Sequence, residues 1–246
     1  MTALVLRLLV DEPLRMFLPA RHRSGDVRAG YDGTSSLGHV VQSIGVPLTE
    51  VGRLLADGAV VAPSHRPRDG AVVRVRAVDR PQQLPEPARF VLDVHLGSLA
   101  RRMRLLGLDT RYGPEAEDDE LVEAALREQR VLLTKDRSLL RRGVLRRTAG
   151  YVRGSTADEQ LADVLDRFAP RLAPYSRCTA CNGLLGPVAK ADVATRLQPG
   201  TARSYEEFAR CATCGRVYWR GAHARRLDAV VTAALDRTSR RGHVGQ

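Results

Sequence analysis

Hydrophobic positions recur along the chain with more than one spacing, and each spacing predicts a different element. Residues 3–10, ALVLRLLV, form a strand pattern, and DVRAGYD from Asp26 forms a second, with a turn-rich stretch between them. In TSSLGHVVQSIG (34–45), Leu37, Val40, Val41 and Ile44 share one helical face, Ser and Thr are placed to cap the start, and Gly45 ends it. A short hairpin turning at Asp57-Gly58 and a last alternating strand, Val72 to Val78, entered through Asp69-Gly70, complete the stretch. Two strands, a helix and then more strands is a β-grasp order.

A different rhythm follows. The short apolar strand Phe90 to Leu92 ends at Asp93 and leads into a helix with Leu96, Leu99, Met103 and Leu106 inside. After DTRY comes an acidic helix, EAEDDELVEAALREQR, then the strand VLLT and, two residues later, Asp136. Alternating strands and helices predict βαβ units on a parallel sheet, where ligands bind outside the carboxyl ends of the strands. Asp93 and Asp136 both follow strands, and Asp118 opens the helix that precedes the second of them.

Proline divides the chain. DRPQQLPEPAR (79–89) reads as an extended linker, and RFAPRLAPYSRC (167–178) as a second break. The predicted modules are 1–80, 88–170, 174–226 and a basic tail, 227–246, of which DRTSRRGHVGQ (236–246) is polar enough to be disordered. No internal repeat is present.

Composition adds two points. The net charge is +11, with the basic excess beyond residue 171, which favours a nucleic-acid partner over a small neutral metabolite. With Lys135 and Lys190 the only lysines, the arginine excess also matches a skew in genomic base composition. No run approaches the ~20 apolar residues of a membrane span, and Arg7 and Asp11 interrupt any signal-peptide core, so the expectation is a soluble, cytoplasmic protein with no membrane partner.

All four cysteines lie in two knuckles, Cys178-x-x-Cys181 and Cys211-x-x-Cys214, with 29 residues between the pairs. Four thiolates so spaced close tetrahedrally on Zn²⁺, and a site with four protein ligands stabilises rather than catalyses. Disulfides are disfavoured in a reducing cytosol, and a redox pair needs only one such motif. Around the second knuckle, Arg210, Arg216, Arg220, Arg225 and Arg226 interleave with Tyr218 and Trp219. Rings and guanidinium groups in that mixture can stack on bases and bind phosphates of single-stranded RNA, with Arg216, Tyr218, Trp219 and Arg220 the leading candidates. The equal alternative is that Tyr218 and Trp219 fill the ribbon's small core against YEEF (205–208). His223 is expected to be unrelated to the metal.

The carboxylates also have ordinary explanations, as helix-start residues at Asp118 and Asp119 and as turn or cap residues at Asp93 and Asp136. Gathered at one sheet edge, three would repel unless a proton or cation intervened, and Mg²⁺ or Mn²⁺ suits oxygen ligands. Such an ion polarises a phosphodiester oxygen and acidifies water for in-line attack. Arg101 and Arg137 are candidate phosphate forks; by default the arginines at 101, 102, 141, 142, 146 and 147 are solvated, and His95 is a packing or capping residue.

The segments DGAVV, PRDGAVVRV and SIGVP resemble ubiquitin-like β-grasp domains of the sulfur-carrier type. Carriers end in Gly-Gly, whereas this last strand runs into Asp79-Arg80-Pro81, so a docking or scaffold role with a protein partner is expected in place of sulfur transfer or conjugation. The stretch DDELVEAALREQRVLLTKDRSLL resembles the core of PIN nucleases, in which an Asp opens a helix and another, 18 residues on, follows a strand in a T-x-D-R context. With DVHLGSLARRMRLLGLDT and the cysteine module, the closer resemblance is to the PIN-like Mut-seven-C RNase family, some bacterial members of which follow a ubiquitin-like domain. The resemblance runs from about residue 3 to 225 and implies metal-dependent RNA cleavage with Asp93, Asp118 and Asp136 as metal ligands. The fourth acidic residue of the PIN pattern has no counterpart in HLGSLARRMRLLG, leaving Asp119 or Asp158 to complete the set. The expected fold is thus α/β, comprising β-grasp, PIN-like parallel-sheet and zinc-ribbon modules. The rival expectation is a non-catalytic RNA-binding adaptor on a degenerate PIN-like fold.

Overall fold

The computed structural model describes residues 4–146, 148–221 and 224–242. The chain is mixed α/β and falls into two compact units: one runs to Arg80 and includes Thr134–Tyr151, the other comprises Pro81–Leu133 and the chain from Val152 onward.

In the first unit, β1 (Leu4–Val10), β2 (Asp26–Tyr31), β3 (Val51–Ala56), β4 (Ala59–Val61) and β5 (Val72–Ala77) form one sheet in the order β2-β1-β5-β3-β4. β1 and β5 are parallel and the other pairs antiparallel, which is the β-grasp arrangement. Period-two alternation turns Leu6, Leu8, Val27, Val73 and Val75 inward. Against them lies α1 (Leu37–Ser43), whose start is capped by Ser36 accepting the His39 amide. The turn-rich stretch after β1 is a 3-10 helix, Glu12–Phe17, that buries Leu14 and Phe17.

In the second unit, β6 (Arg89–Leu92) is central, with α2 (Gly97–Leu105), β7 (Asp109–Tyr112), α3 (Asp118–Arg127) and β8 (Val131–Thr134) following. β6 pairs in parallel with β7 on one side and β8 on the other, so DTRY is itself a strand of the parallel sheet. Leu96, Leu99, Met103 and Leu106, expected inside, are each at most 1% exposed. The chain beyond β8, through the strand β9 (Ala149–Tyr151), groups with the first unit, and then α4 (Ala157–Phe168) returns to the second. The proline-rich linker is fixed there, with Gln82 and Arg167 exchanging two hydrogen bonds of 2.6 Å.

The C-terminal part of this unit is an antiparallel ribbon of β10 (Leu185–Val188), β11 (Phe208–Cys211) and β12 (Val217–Tyr218), with α5 (Pro199–Ser204) between its first two strands. Last comes α6 (Ala224–Gly242). The expectation of a disordered polar tail over 236–246 is corrected as far as residue 242. Val230, Val231 and Ala234 recur at helical spacing and pack on the core, and Arg237 forks onto Asp166 with two bonds of 2.6 Å. Residues 243–246 lie outside the described residues.

Candidate functional site

The four cysteine sulfurs lie within 4.8 Å of one another, with Cys178–Cys214 at 3.7 Å and Cys181–Cys211 at 3.4 Å. A tetrahedral ion with Zn–S bonds of about 2.3 Å needs edges of about 3.8 Å, so the four thiols can hold zinc without rearrangement. Each knuckle turns its own backbone toward metal binding: the amides of Cys181 and Cys214 each donate to the first sulfur of their pair at 3.5 Å. The left-handed position after each pair is taken by Asn182 (φ 72°) and Gly215 (φ 70°), so in the first knuckle asparagine, not the following glycine, makes the turn. Burial pushes the Cys181 thiol up to about 12, while the Tyr218 hydroxyl at 3.0 Å and the Cys181 amide outweigh burial at Cys178 and bring it to about 6. Thiols crowded this closely cannot all ionise unaided, and a divalent cation removes that conflict. His223 lies outside the described residues, as does Arg147.

The knuckle is fastened to the edge of the parallel sheet by a polar network absent from the sequence reading. Arg104, 4% exposed on the inner face of α2, donates to the carbonyls of Thr110, Thr179 and Ala180. Asp109 at the start of β7 accepts from Arg130 (2.6 Å), Asn182 (2.9 Å) and Arg177 (3.3 Å), and Asn182 in turn accepts the Thr110 amide. These partners outweigh burial and hold the Asp109 carboxyl below its usual range. The sequence signal was an arginine inside an apolar helix face, Met103-Arg104-Leu105, a position that demands buried acceptors.

Around the ribbon, the two aromatics separate. Tyr218 spends its hydroxyl on Cys178 and Thr179, whereas Trp219 is 43% exposed, its ring tilted against that of Phe208 with centroids 6.4 Å apart. Arg210 and Arg216 are exposed; Arg220 pairs with Asp228 at 2.7 Å and sits over the Tyr175 ring.

The acidic candidates occupy distinct settings. Asp93 is 5% exposed at the carboxyl end of β6, its amide donating to the Leu133 carbonyl at 3.0 Å. It stands at the N-cap position of the turn Val94–Leu96, yet its side chain makes no capping hydrogen bond. Beside it, Tyr112 at the end of β7 donates to the Val94 carbonyl at 2.9 Å, and a Cβ at Gly97 would meet that hydroxyl at 2.7 Å. Asp118 and Asp119 are the first two residues of α3, where acidic charge suits the helix N-terminus, and the capping box itself is built by Glu117 and Glu120. A cleft between β7 and α3 is lined by Arg111, Tyr112, Gly113, Glu115 and Glu120, and neither Asp93 nor Asp118 lines it. Asp136, in the first unit, is exposed and accepts from the amide (2.7 Å) and hydroxyl (2.8 Å) of Ser138. Arg137 next to it donates to the Met16 and Phe17 carbonyls. Asp158 pairs with Arg102 at 2.7 Å, and Arg101 is exposed.

Residues 88–231 match the Mut7-C RNAse domain, and residues 4–83 match the Mut7-C ubiquitin domain. The chain belongs to the Mut7-C RNase family. The ubiquitin match covers the β-grasp sheet, and the Mut7-C RNase match runs from β6 through the cysteine ribbon into α6. No curated protein and no solved structure matches the chain. Among the described residues no helix is long and apolar enough to cross a membrane.

Proposed function

We propose that this Mut7-C RNase chain is a metal-dependent ribonuclease of the cytoplasm, hydrolysing RNA phosphodiester bonds at an acidic site of Asp93, Asp118 and Asp136. The observation that carries the reading is Asp93, a carboxylate 5% exposed at the end of a strand with parallel neighbours on both sides. That is the end of the strands where parallel sheets of this kind bind ligands, and a carboxylate there is placed to offer oxygen to a divalent cation. Asp118 opens α3 without being its cap, and Asp136 follows Leu133, the register partner of Leu92, by three residues along the chain. Mg²⁺ or Mn²⁺ held by these oxygens would supply positive charge for the phosphate and acidify an attacking water. The chain's own part is to hold the carboxylates, with Asp119 the candidate fourth, and to exclude Asp93 from bulk water. Zinc on Cys178, Cys181, Cys211 and Cys214 keeps the ribbon folded, and Trp219 with Arg216 and Arg210 offers a stacking and phosphate surface for unpaired RNA.

A second reading, the non-catalytic RNA-binding adaptor, is favoured by one observation: the Asp136 carboxylate already closes a turn with Ser138. Incubating wild type and Asp93→Asn with labelled structured and unstructured RNAs in Mn²⁺, then adding EDTA, separates the two. The ribonuclease yields products that EDTA stops and the variant lacks; the adaptor binds RNA and yields none.

A further inference from the structure

The β-grasp domain lacks the Gly-Gly ending of a carrier, so its use must be sought in what it touches. Within the first unit it holds the segment Thr134–Tyr151, which carries Asp136. Arg137 donates from Nη2 to the Met16 carbonyl at 2.9 Å and from Nη1 to the Phe17 carbonyl at 3.5 Å, with its guanidinium 5.2 Å from the centre of the Phe17 ring. The same ring meets Tyr151 edge-on at 5.1 Å. Glu50, fully buried, accepts the Tyr151 backbone amide at 2.8 Å, and Gln42 donates to the Arg141 carbonyl at 3.4 Å. The segment is thus fixed at its start, middle and end by one domain. Asp136 to Ser138 form one exposed turn of this segment, in which the Asp136 carboxylate accepts the Ser138 amide beside the side chain by which Arg137 anchors the backbone.

We infer that the β-grasp domain is a built-in holder of the turn that carries Asp136, and that Arg137 is the positioning residue that sets this carboxylate. The inference rests on the ribonuclease reading. A catalytic carboxylate must be held to within about 0.5 Å, and an exposed turn does not achieve this alone. Both terminal nitrogens of Arg137 are directed to adjacent carbonyls, a use of the planar fork that lysine cannot reproduce and that leaves phosphate contact as a secondary role.

Full-length Arg137→Ala, Arg137→Lys, Glu50→Ala and Glu50→Gln are compared with wild type and with Arg7→Ala, an exposed β-grasp control. Hydrogen exchange is followed over residues 131–146, and Mn²⁺-dependent RNA cleavage is resolved into kcat, KM and Mn²⁺ half-saturation. Arg137→Ala and Glu50→Ala should exchange faster in this segment by roughly tenfold. Their kcat should fall by roughly tenfold or more, with a higher Mn²⁺ half-saturation and little change in KM. Arg137→Lys should not rescue, while Glu50→Gln, which keeps an acceptor for the Tyr151 amide, should stay near wild type even if Glu50→Ala fails to fold. Unchanged exchange overturns the inference, as does a raised KM with unchanged kcat that lysine restores. Wild type without Mn²⁺-dependent cleavage overturns the ribonuclease reading alone, because the exchange result still tests the clamp.

Discussion

The cysteine ribbon and the acidic strand ends are both read as metal sites, yet they are built in opposite ways. Each cysteine knuckle makes half of a tetrahedron from four consecutive residues, with its own amides directed at its own sulfurs, so only one long-range closure is needed. The acidic residues come from the end of β6, the start of α3 and the turn beyond β8, and their geometry depends on a sheet, a helix and a loop folding first. A local site is specified by spacing; a dispersed one is specified by packing.

Changing one residue on each side tests that contrast most strongly. Cys178→Ser removes a buried ligand, and structural zinc is worth on the order of 10 kcal/mol in small zinc modules. Zinc content measured by atomic spectroscopy should fall from one per chain to near zero, and Tm should drop by about 6 °C or more if at least ~3 kcal/mol of that reaches global stability. Retained zinc would break the comparison at the ribbon. Asp93→Asn should do the reverse, leaving zinc content unchanged while RNA cleavage in Mn²⁺ falls by on the order of 10²–10³, or 3–4 kcal/mol of barrier. A variant that cleaves at the wild-type rate would remove Asp93 from the site.

The ribbon is tied to the parallel sheet through Asp109, which gathers Arg130, Arg177 and Asn182 at the start of β7, the end of the sheet away from Asp93. Asp109→Ala leaves two partly buried arginines without this partner and should destabilise by about 3 kcal/mol in chemical denaturation, with the ribbon released first. The same carboxylate predicts a pH effect. Its folded pKa lies below the unfolded value of about 3.9, so its contribution is complete above that value and is lost as pH falls toward the folded pKa. Both wild type and Asp109→Asn lose zinc in acid as thiolates protonate, so the difference between their Tm curves isolates Asp109. The variant's curve should be the flatter below about pH 4; parallel curves would show the pairing to be inconsequential.

What the sequence showed follows the same division. Periodicity located β1, α1, α2, α3 and β8, because each buries a face that its own spacing defines. It passed over DTRY, too short and polar to announce a strand, though parallel pairing with β6 makes it one. It gave no sign that the Thr134–Tyr151 segment, inside the span of the Mut7-C RNase match, is tied to the carbonyls of Met16 and Phe17 and the carboxylate of Glu50. No spacing rule reports a hydrogen bond between residues more than a hundred positions apart. The tail was misread for the converse reason: its charge was plain, and the weak apolar stripe through Val231 and Ala234 gains force only from the core it meets.

The smallest predicted effect concerns the fourth carboxylate. Asp158 is two-thirds exposed, and its two oxygens already face the Arg102 fork at 2.7 and 3.3 Å. An exposed pair of this kind contributes about 0–1 kcal/mol, so Asp158→Asn should shift Tm by no more than a few degrees. If Asp158 took part in holding the divalent ion, the same variant would raise Mn²⁺ half-saturation severalfold, as Asp119→Asn is expected to do from the first turn of α3. An Asp158→Asn chain with unaltered Mn²⁺ dependence beside an impaired Asp119→Asn chain assigns the fourth position to α3. The opposite pattern moves it to α4 and adds a fourth dispersed segment to the site.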